Sequence, residues 1–573
     1  MAESRTARRL ARHAVLAAAA GALLAGLAAG PASAGPGPIM AGLASPRTAG
    51  LTTAGGQPAS SRPAVPRGAA PAPGLVVGTR DGAVRGQAAG AEHEFLGIPY
   101  AAPPVAALRW RPPAPPRPWP GIRPAAQFAP HCPQPASFFG VASTSEDCLY
   151  LNVFTPARSG GLTRGRTGGL PVLVWIHGGA LVTGESDDYD PAALVRRGVI
   201  VVTLNYRIGA LGFLADAALA GRPGGPAGNY GLMDQQAALR WVQANISRFG
   251  GDPRAVTLAG ESAGGLSVLS QLASPAARGL FSRAIVESGS YNLNQASLPA
   301  AESAGQAFAA QAGCADPTAA RTAACLRALP VAAVLASETA SGYTPDVDGA
   351  LLPRTLSQAF ASGQFHRVPV LIGTNHDEWR LFVAESQLGG GPPVTAANYQ
   401  AQIAATLGVP AAAAAAIAAQ YPVSAFASAP VALGAAGTDA IFACPSLSAS
   451  LSLSRYVPVY AYEFSDQSAP ELFLPPAGFP YGAAHASELQ YLFGLRSNFP
   501  AALTPAQQRL AAAMQGYWAS FTRRAAPQAP GEPGWPRFAA AAPLVQSLAE
   551  PRPQPEASFA AEHHCAFWAQ LAS

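Results

Sequence analysis

Gly260-Glu261-Ser262-Ala263-Gly264 is the one G-x-S-x-G stretch in the chain. Glycines on either side of the serine fit a tight strand-to-helix turn, where flanking Cβ atoms would crowd the bend. An apolar run, Val256–Ala259, precedes it, and a helix-forming Leu266-Ser267-Val268-Leu269 follows. A hydroxyl held on such a turn suits attack on an acyl carbonyl, once a base takes its proton and an acid orients that base.

With this arrangement the acid and then the histidine are expected downstream of the serine. Five histidines qualify: His366, His376, His485, His563 and His564. The last two adjoin Cys565 at the C-terminus, and His366 leads into the start of a strand, the wrong end of a sheet for chemistry. His485 sits in Gly482–Glu488, a loop of small residues from which a mobile imidazole reaches the serine, and it is the best candidate. For the acid, Val368–Ile372 runs into Gly373-Thr374-Asn375-His376-Asp377-Glu378. Asp377 and Glu378 both fit, and the residues alone do not separate them. Upstream, Val172–Ile176 runs into His177-Gly178-Gly179-Ala180, a loop whose backbone can approach a substrate. The N–H groups of Gly179, Ala180 and Ala263 are the expected oxyanion donors, each worth about 3–4 kcal/mol in such a role. His177 reads as a packed structural residue; a base or metal reading of it is weaker.

These candidates share a placement. Val172–Ile176, Val199–Leu204, Val256–Ala259, Ala284–Val286, Val368–Ile372 and Val457–Tyr462 are short, solidly apolar runs, the signature of strands buried on both faces. Helical stretches lie among them at Asp234–Asn245, Leu266–Ala273 and Pro410–Gln420, the last opened by its proline. Alternation of this kind predicts an α/β fold with an open, mostly parallel sheet flanked by helices. Chemistry then gathers at the carboxyl ends of the strands, where the polar tails stand.

Composition narrows the field. Hydrophobic residues are 49% of the 573 and charged residues 12%, enough apolar material to exclude wholesale disorder. All 37 basic residues are Arg, which removes every mechanism that needs a lysine amine. Arg5, Arg8, Arg9 and Arg12 precede the apolar run Ala14–Ala29 and then Pro31-Ala32-Ser33-Ala34, so 1–34 reads as a secretory signal peptide cleaved after Ala34. Removing that segment takes four Arg and one Glu from a net charge of +5, leaving 5 − 3 = +2 and no basic run for nucleic acid. Residues 35–74, nearly all Gly, Pro, Ala, Ser and Thr, read as a disordered linker. Organised sequence begins near Leu75, and 75–573 is expected to be a single domain, exported, with no further membrane span.

The motifs together resemble the type B carboxylesterase family, the cholinesterase-like branch of the α/β-hydrolases. The likeness covers about Leu75 to Trp568. It is carried by Phe95–Ala101, Ser145–Val153, the Gly178-Gly179 loop, Gly228–Gln235, Asn245–Pro253, Gly260–Gly265 and Cys565-Ala566-Phe567-Trp568. The resemblance implies a serine esterase that needs no cofactor or metal and takes small-molecule esters. It places the acid at Glu378, supports His485 as the base of Ser262, and sets Glu261 and Ser288 beside the catalytic centre without a part in bond making.

The six cysteines are even in number, as suits an exported chain. The resemblance implies the pairs Cys132–Cys148, Cys314–Cys325 and Cys444–Cys565. A metal reading of Glu562-His563-His564-Cys565 is weak, since adjacent side chains seldom converge on one ion. The chain also departs from the cholinesterase pattern. The Pro133–Asp147 loop has Phe138-Phe139 and no Trp to hold a quaternary ammonium, so an aromatic or aliphatic acyl ester is the better expectation. Ala180 replaces the third glycine of the oxyanion loop while keeping its N–H. Phe138, Phe139, Phe382 and Leu472-Phe473-Leu474 are the expected pocket walls. Asn245-Ile246-Ser247 is a formal glycosylation sequon in a family-like helix end and carries little weight.

Overall fold

Strands rich in Val, Ile and Leu pair through the middle of the molecule. The computed structural model describes residues 75–157, 168–220, 227–338 and 343–571. The expected leader 1–34 and linker 35–74 lie outside the described residues. Eleven strands form the main sheet: β1 (Gln87–Ala89), β2 (Glu92–Pro99), β3 (Tyr150–Pro156), β4 (Leu170–Ile176), β5 (Ile200–Leu204), β6 (Gly251–Glu261), β7 (Arg283–Glu287), β8 (Val370–Asn375), β9 (Val459–Phe464), β10 (Val545–Leu548) and β11 (Gln554–Glu556). Their spatial order is β11-β10-β9-β8-β7-β6-β4-β5-β3-β2-β1.

Pairing is parallel from β5 through β4, β6, β7, β8 and β9 to β10. At both edges it turns antiparallel, through β3, β2 and β1 on one side and β11 on the other. The sheet is therefore mixed, with the parallel part at its centre. The edge strands escaped the sequence reading because they are short or interrupted by polar residues, whereas the central runs are almost wholly apolar. Along β4, Val172, Val174 and Ile176 join one hydrophobic core, while Leu173 and Trp175 join the core on the opposite face. Both faces are buried, as continuous apolar runs require.

Helices cover both faces. α1 (Tyr230–Asn245) begins four residues before the expected Asp234. α2 (Ala263–Ala273) follows the serine directly and is buried along its whole length. α5 (Pro505–Arg524), opened by a Thr504–Gln507 capping box, packs Met514, Tyr517 and Trp518 on the other face. A third apolar cluster joins α3 (Trp379–Leu388), the Ala411–Gln420 helix and α4 (Ala429–Leu453). α4 contains a single π turn, Asp439–Ala443. By length and composition α4 could cross a membrane, yet 67% of its most apolar window is buried inside the fold.

Three disulfides, Cys132–Cys148, Cys314–Cys325 and Cys444–Cys565, use all six cysteines. Such bridges persist in oxidising compartments, as outside the cell or in the ER lumen. The last ties α4 to the C-terminal helix α6 (Cys565–Leu571). The Asn245 sequon is closed to solvent: the side chain is buried, donates to Trp241 O and accepts from Arg80 N.

Candidate active site

Parallel register brings Ile176, Glu261, Glu287 and Asn375 to one edge of the sheet, since β4, β6, β7 and β8 all end there. The ladder continues one step further, with Ser262 N–H donating to Glu287 O and Ser288 N–H to Gly373 O, each at 2.9 Å. Ser262 has φ 54° and ψ −120°, a strained turn between β6 and α2. The bend leaves no space for side chains beside it. A Cβ on Gly264 would stand 2.0 Å from Ile176 O.

The Gly-Gly loop reaches the same point from β4. A Cβ on Gly178 would meet Glu261 Oε2 at 2.8 Å and the Ser262 Cβ at 3.2 Å, so only glycine lets this backbone lie against the serine turn. Gly179 and Ala180 have φ of 96° and 54°. The Gly179 carbonyl accepts from the N–H groups of Val182 and Thr183, and the N–H groups of Gly179 and Ala180 stand outside this turn's bonds. Ala263 opens α2, where first-turn N–H groups have no partner within the helix. His177 is buried, stacked on Tyr206 at 4.4 Å between ring centroids. Burial holds its imidazole down at about 4, so it is neutral and structural.

His485 and Glu378 meet with Nδ1 2.5 Å from Oε2. An ionised carboxylate only accepts, so Nδ1 carries the proton and Nε2 is the basic nitrogen. The other oxygen of Glu378, Oε1, accepts from Ser288 Oγ at 2.5 Å, Thr374 Oγ1 at 2.7 Å and Asn375 N at 2.8 Å. Asp377 faces elsewhere, accepting from Ala483 N at 3.0 Å and pairing with Arg380 at 2.8 Å. Of the two acids that the residues alone left open, Glu378, the one the resemblance implies, is the one that meets His485. Asp377 instead pins the loop that carries His485.

That loop is packed inside the fold. Ala483, Ala484, His485, Ala486, Ser487 and Glu488 are all buried. The imidazole packs against two mutually stacked rings, Phe382 and Phe442, each 5.0 Å from it. Its Nε2 is 3.1 Å from Glu261 Oε1, a contact not aligned as a hydrogen bond. A bond from Ser262 Oγ to Nε2 is not among those formed by the described residues; in ligand-free enzymes such bonds are often long and tighten only with substrate. Burial draws the imidazole down, but the charges of Glu261 and Glu378 and the bond to Glu378 outweigh it and raise His485 to about 9. Burial in turn pushes Glu261 well above the ordinary carboxylate range, against the pull of His485. Glu488, reached by Asn375 Nδ2, is lifted to about 7 by burial and by the charge of Glu378.

The expected walls also converge. Phe382 and Leu474 belong to the third apolar cluster, and Phe138 and Phe139 pack against it, with the Phe139 ring 5.4 Å from that of Phe473. Phe442 had no signal in the sequence, since it is the π turn of α4 that delivers its ring to the imidazole. Thr374 and Asn375 were visible as a strand end but not as holders of Glu378.

Residues 73–568 match the model of the carboxylesterase family. The chain belongs to the carboxylesterase family. Among its relatives, the fumonisin B1 esterase of Sphingopyxis macrogoltabida is 37% identical over 490 residues, 81% of this chain and 85% of that one. The acylcarnitine hydrolase of Mus musculus is 36% identical over 470 residues, covering 78% and 81%. The para-nitrobenzyl esterase of Bacillus subtilis (strain 168) is 36% identical over 482 residues, covering 81% and 92%. This carboxylesterase therefore has the α/β-hydrolase fold and hydrolyses carboxylic esters. Small-molecule esters are the substrates of such enzymes.

Proposed function

We propose that this carboxylesterase is a secreted serine esterase working through Ser262, His485 and Glu378. In this reading 1–34 is its leader, 35–74 a linker and 75–573 the catalytic domain. The observation that carries the proposal is the 2.5 Å contact of His485 Nδ1 with Glu378, which leaves Nε2 on the side of the serine turn. On substrate binding a small ring rotation brings Nε2 from Glu261 toward Ser262 Oγ. The imidazole takes the hydroxyl proton as Oγ forms a bond to the ester carbonyl carbon. The N–H groups of Gly179, Ala180 and Ala263 receive the negative oxygen.

Collapse of that intermediate breaks the bond to the alcohol, which departs with the proton held on Nε2. Water then attacks the acyl-serine, giving its proton to Nε2. The acid leaves and Ser262 recovers its hydrogen. Glu378 keeps the proton on Nδ1 throughout and stabilises the imidazolium, while Ser288, Thr374 and Asn375 N hold Glu378 in place. No cofactor enters any step. The relatives' names point to three different substrates, so their common ground is ester cleavage. The aromatic walls of Phe138, Phe139, Phe382 and Phe473 favour an aromatic or aliphatic acyl group.

The test is Ser262→Ala assayed on p-nitrophenyl butyrate. A folded variant should retain less than about a thousandth of the rate, and near-normal turnover would refute the assignment.

A further inference from the structure

α3 starts at the acid of the site and carries two further side chains toward it. Glu378 precedes the helix, and Phe382 places its ring 5.0 Å from that of His485. Glu385 lies three residues beyond Phe382, almost one turn on and therefore on the same stripe of the helix. Its side chain is half-buried, and Oε2 is buried with no hydrogen-bond partner. No Arg, His or other donor pairs with this carboxylate among the described residues. The one charged group that bears on it is His485, on the loop after Gly482. A carboxylate is seldom withdrawn from water without a partner, because the loss of hydration is not offset. The other acids around the imidazole each have at least one charged or hydrogen-bonding neighbour: Glu378 its three donors, Glu261 the imidazole at 3.1 Å, Glu488 Asn375 and Asp377 Arg380, although Glu261 and Glu488 each keep one buried oxygen without a hydrogen bond. The Glu385 carboxylate has no such partner among the described residues.

We infer that Glu385 is a specificity-determining residue that binds an N–H-bearing cation, a primary or secondary ammonium group of the ester substrate, through a charge-assisted hydrogen bond. This deepens the reading of Ser262 as the esterase nucleophile and rests on it. It is a different recognition from the ring-face capture of a quaternary ammonium, which has no N–H to donate. Burial lifts the Glu385 carboxyl up to about 7, and His485 draws it partly back. The residue is thus neutral in mild acid and anionic in mild base, and its preference for an ammonium group strengthens as pH rises through neutrality.

Two isosteric pairs test this, one for each arm of the ester. In p-nitrophenyl 6-aminohexanoate against p-nitrophenyl heptanoate an ammonium replaces the terminal methyl of the acyl chain. In 6-aminohexyl butyrate against heptyl butyrate it replaces that of the alcohol. The readout is the ratio of kcat/KM, ammonium over neutral, which cancels the protonation of His485 common to both members. In one arm the wild-type ratio should rise about tenfold between pH 6 and 8, the size of one charge-assisted bond. Glu385→Gln should lower the ratio at pH 8 by about the same factor and flatten its pH dependence. A wild-type ratio that is flat with pH in both arms, or one that Glu385→Gln leaves unchanged, overturns the inference. If the amide variant fails to fold, the wild-type pH dependence alone decides. If the neutral esters are not hydrolysed at all, the reading of Ser262 has failed instead, and the two failures are told apart.

Discussion

His485 Nδ1 and Glu378 Oε2 stand 2.5 Å apart across 107 residues of chain. Both partners are buried, and the carboxylate's second oxygen is saturated by Ser288, Thr374 and the Asn375 amide. A carboxylate held this way cannot swing, so the imidazole it orients has one tautomer. Glu378→Gln should preserve the fold and lower kcat by roughly three to four orders of magnitude, through the wrong tautomer of His485. Asp377→Asn, next in sequence, should instead cost about 1–3 kcal/mol of stability through the lost charge that pairs with Arg380 and move kcat far less. Denaturant melts and ester kinetics on both variants check this, and equal kinetic damage from the two would contradict it.

Glu261, with Oε1 3.1 Å from Nε2, is one of two carboxylates whose charge favours the His485 cation. Burial alone would lower its pKa, yet Glu261 and Glu378 raise it to about 9. Only the unprotonated imidazole can accept the Ser262 proton, so kcat/KM should climb with pH along an acid limb set by His485. Glu261→Gln removes one of the charges that favour the cation. The limb should move to lower pH by about one unit. A limb that stays in place or moves upward would show that Glu261 is not the charge His485 feels.

The proposed oxyanion loop can be probed through its close approach. Gly178→Ala introduces a Cβ 2.8 Å from Glu261 Oε2 and 3.2 Å from the Ser262 Cβ, and the loop must retreat from the serine turn. Withdrawal of the Gly179 and Ala180 donors should lower kcat by about a hundredfold or more, with a smaller change in KM. A variant with normal kcat would mean that the donors lie elsewhere.

How much of this was legible in the sequence follows from where the information sits. Ser262 and the Gly-Gly loop lie beside long apolar strands, so their context is local and their places at the sheet edge could be read directly. His485 was selected by elimination, on a loop of small residues with a mobile imidazole; not legible was the hold of Asp377 on that loop, accepting from Ala483 N across more than a hundred residues. The residues alone did not separate Glu378 from Asp377, because which carboxylate the strand end turns inward is a matter of tertiary geometry; the family resemblance supplied Glu378. Phe442 was invisible because one π turn in α4, not any periodicity, aims its ring at the imidazole. Edge strands such as Glu92–Pro99 lack the continuous apolar pattern of the central ones, since antiparallel neighbours at a sheet margin do not demand it.

A further buried histidine, His563, lies away from the site. His563 bridges Asp439 in the π turn and Glu463 at the end of β9, at 2.5 Å from each, beside the Cys444–Cys565 disulfide. Burial opposes its charge, but the bonds to the two carboxylates prevail and raise it to about 10. A folded pKa above the unfolded value of about 6.5 stabilises the fold fully below that value, and the benefit is lost as pH rises toward 10. Glu463, held below its ordinary range by the bonds and charge of His563 despite burial, makes the opposite contribution, lost in acid. His563→Gln leaves two carboxylates without their cation and should cost about 3–5 kcal/mol. Thermal melts should show the wild type losing stability between pH 6.5 and 10 and the variant lacking that part of the loss. Parallel pH profiles for the two would contradict the bridge.

The most direct measurement is covalent. A fluorophosphonate reacts with a serine only when a neighbouring base activates it, and digestion followed by mass spectrometry locates the adduct without assuming a substrate. The adduct should fall on the peptide containing Ser262, disappear in His485→Ala and be strongly slowed in Glu378→Gln. Labelling at another serine, or undiminished labelling of Ser262 without the imidazole, would contradict the account.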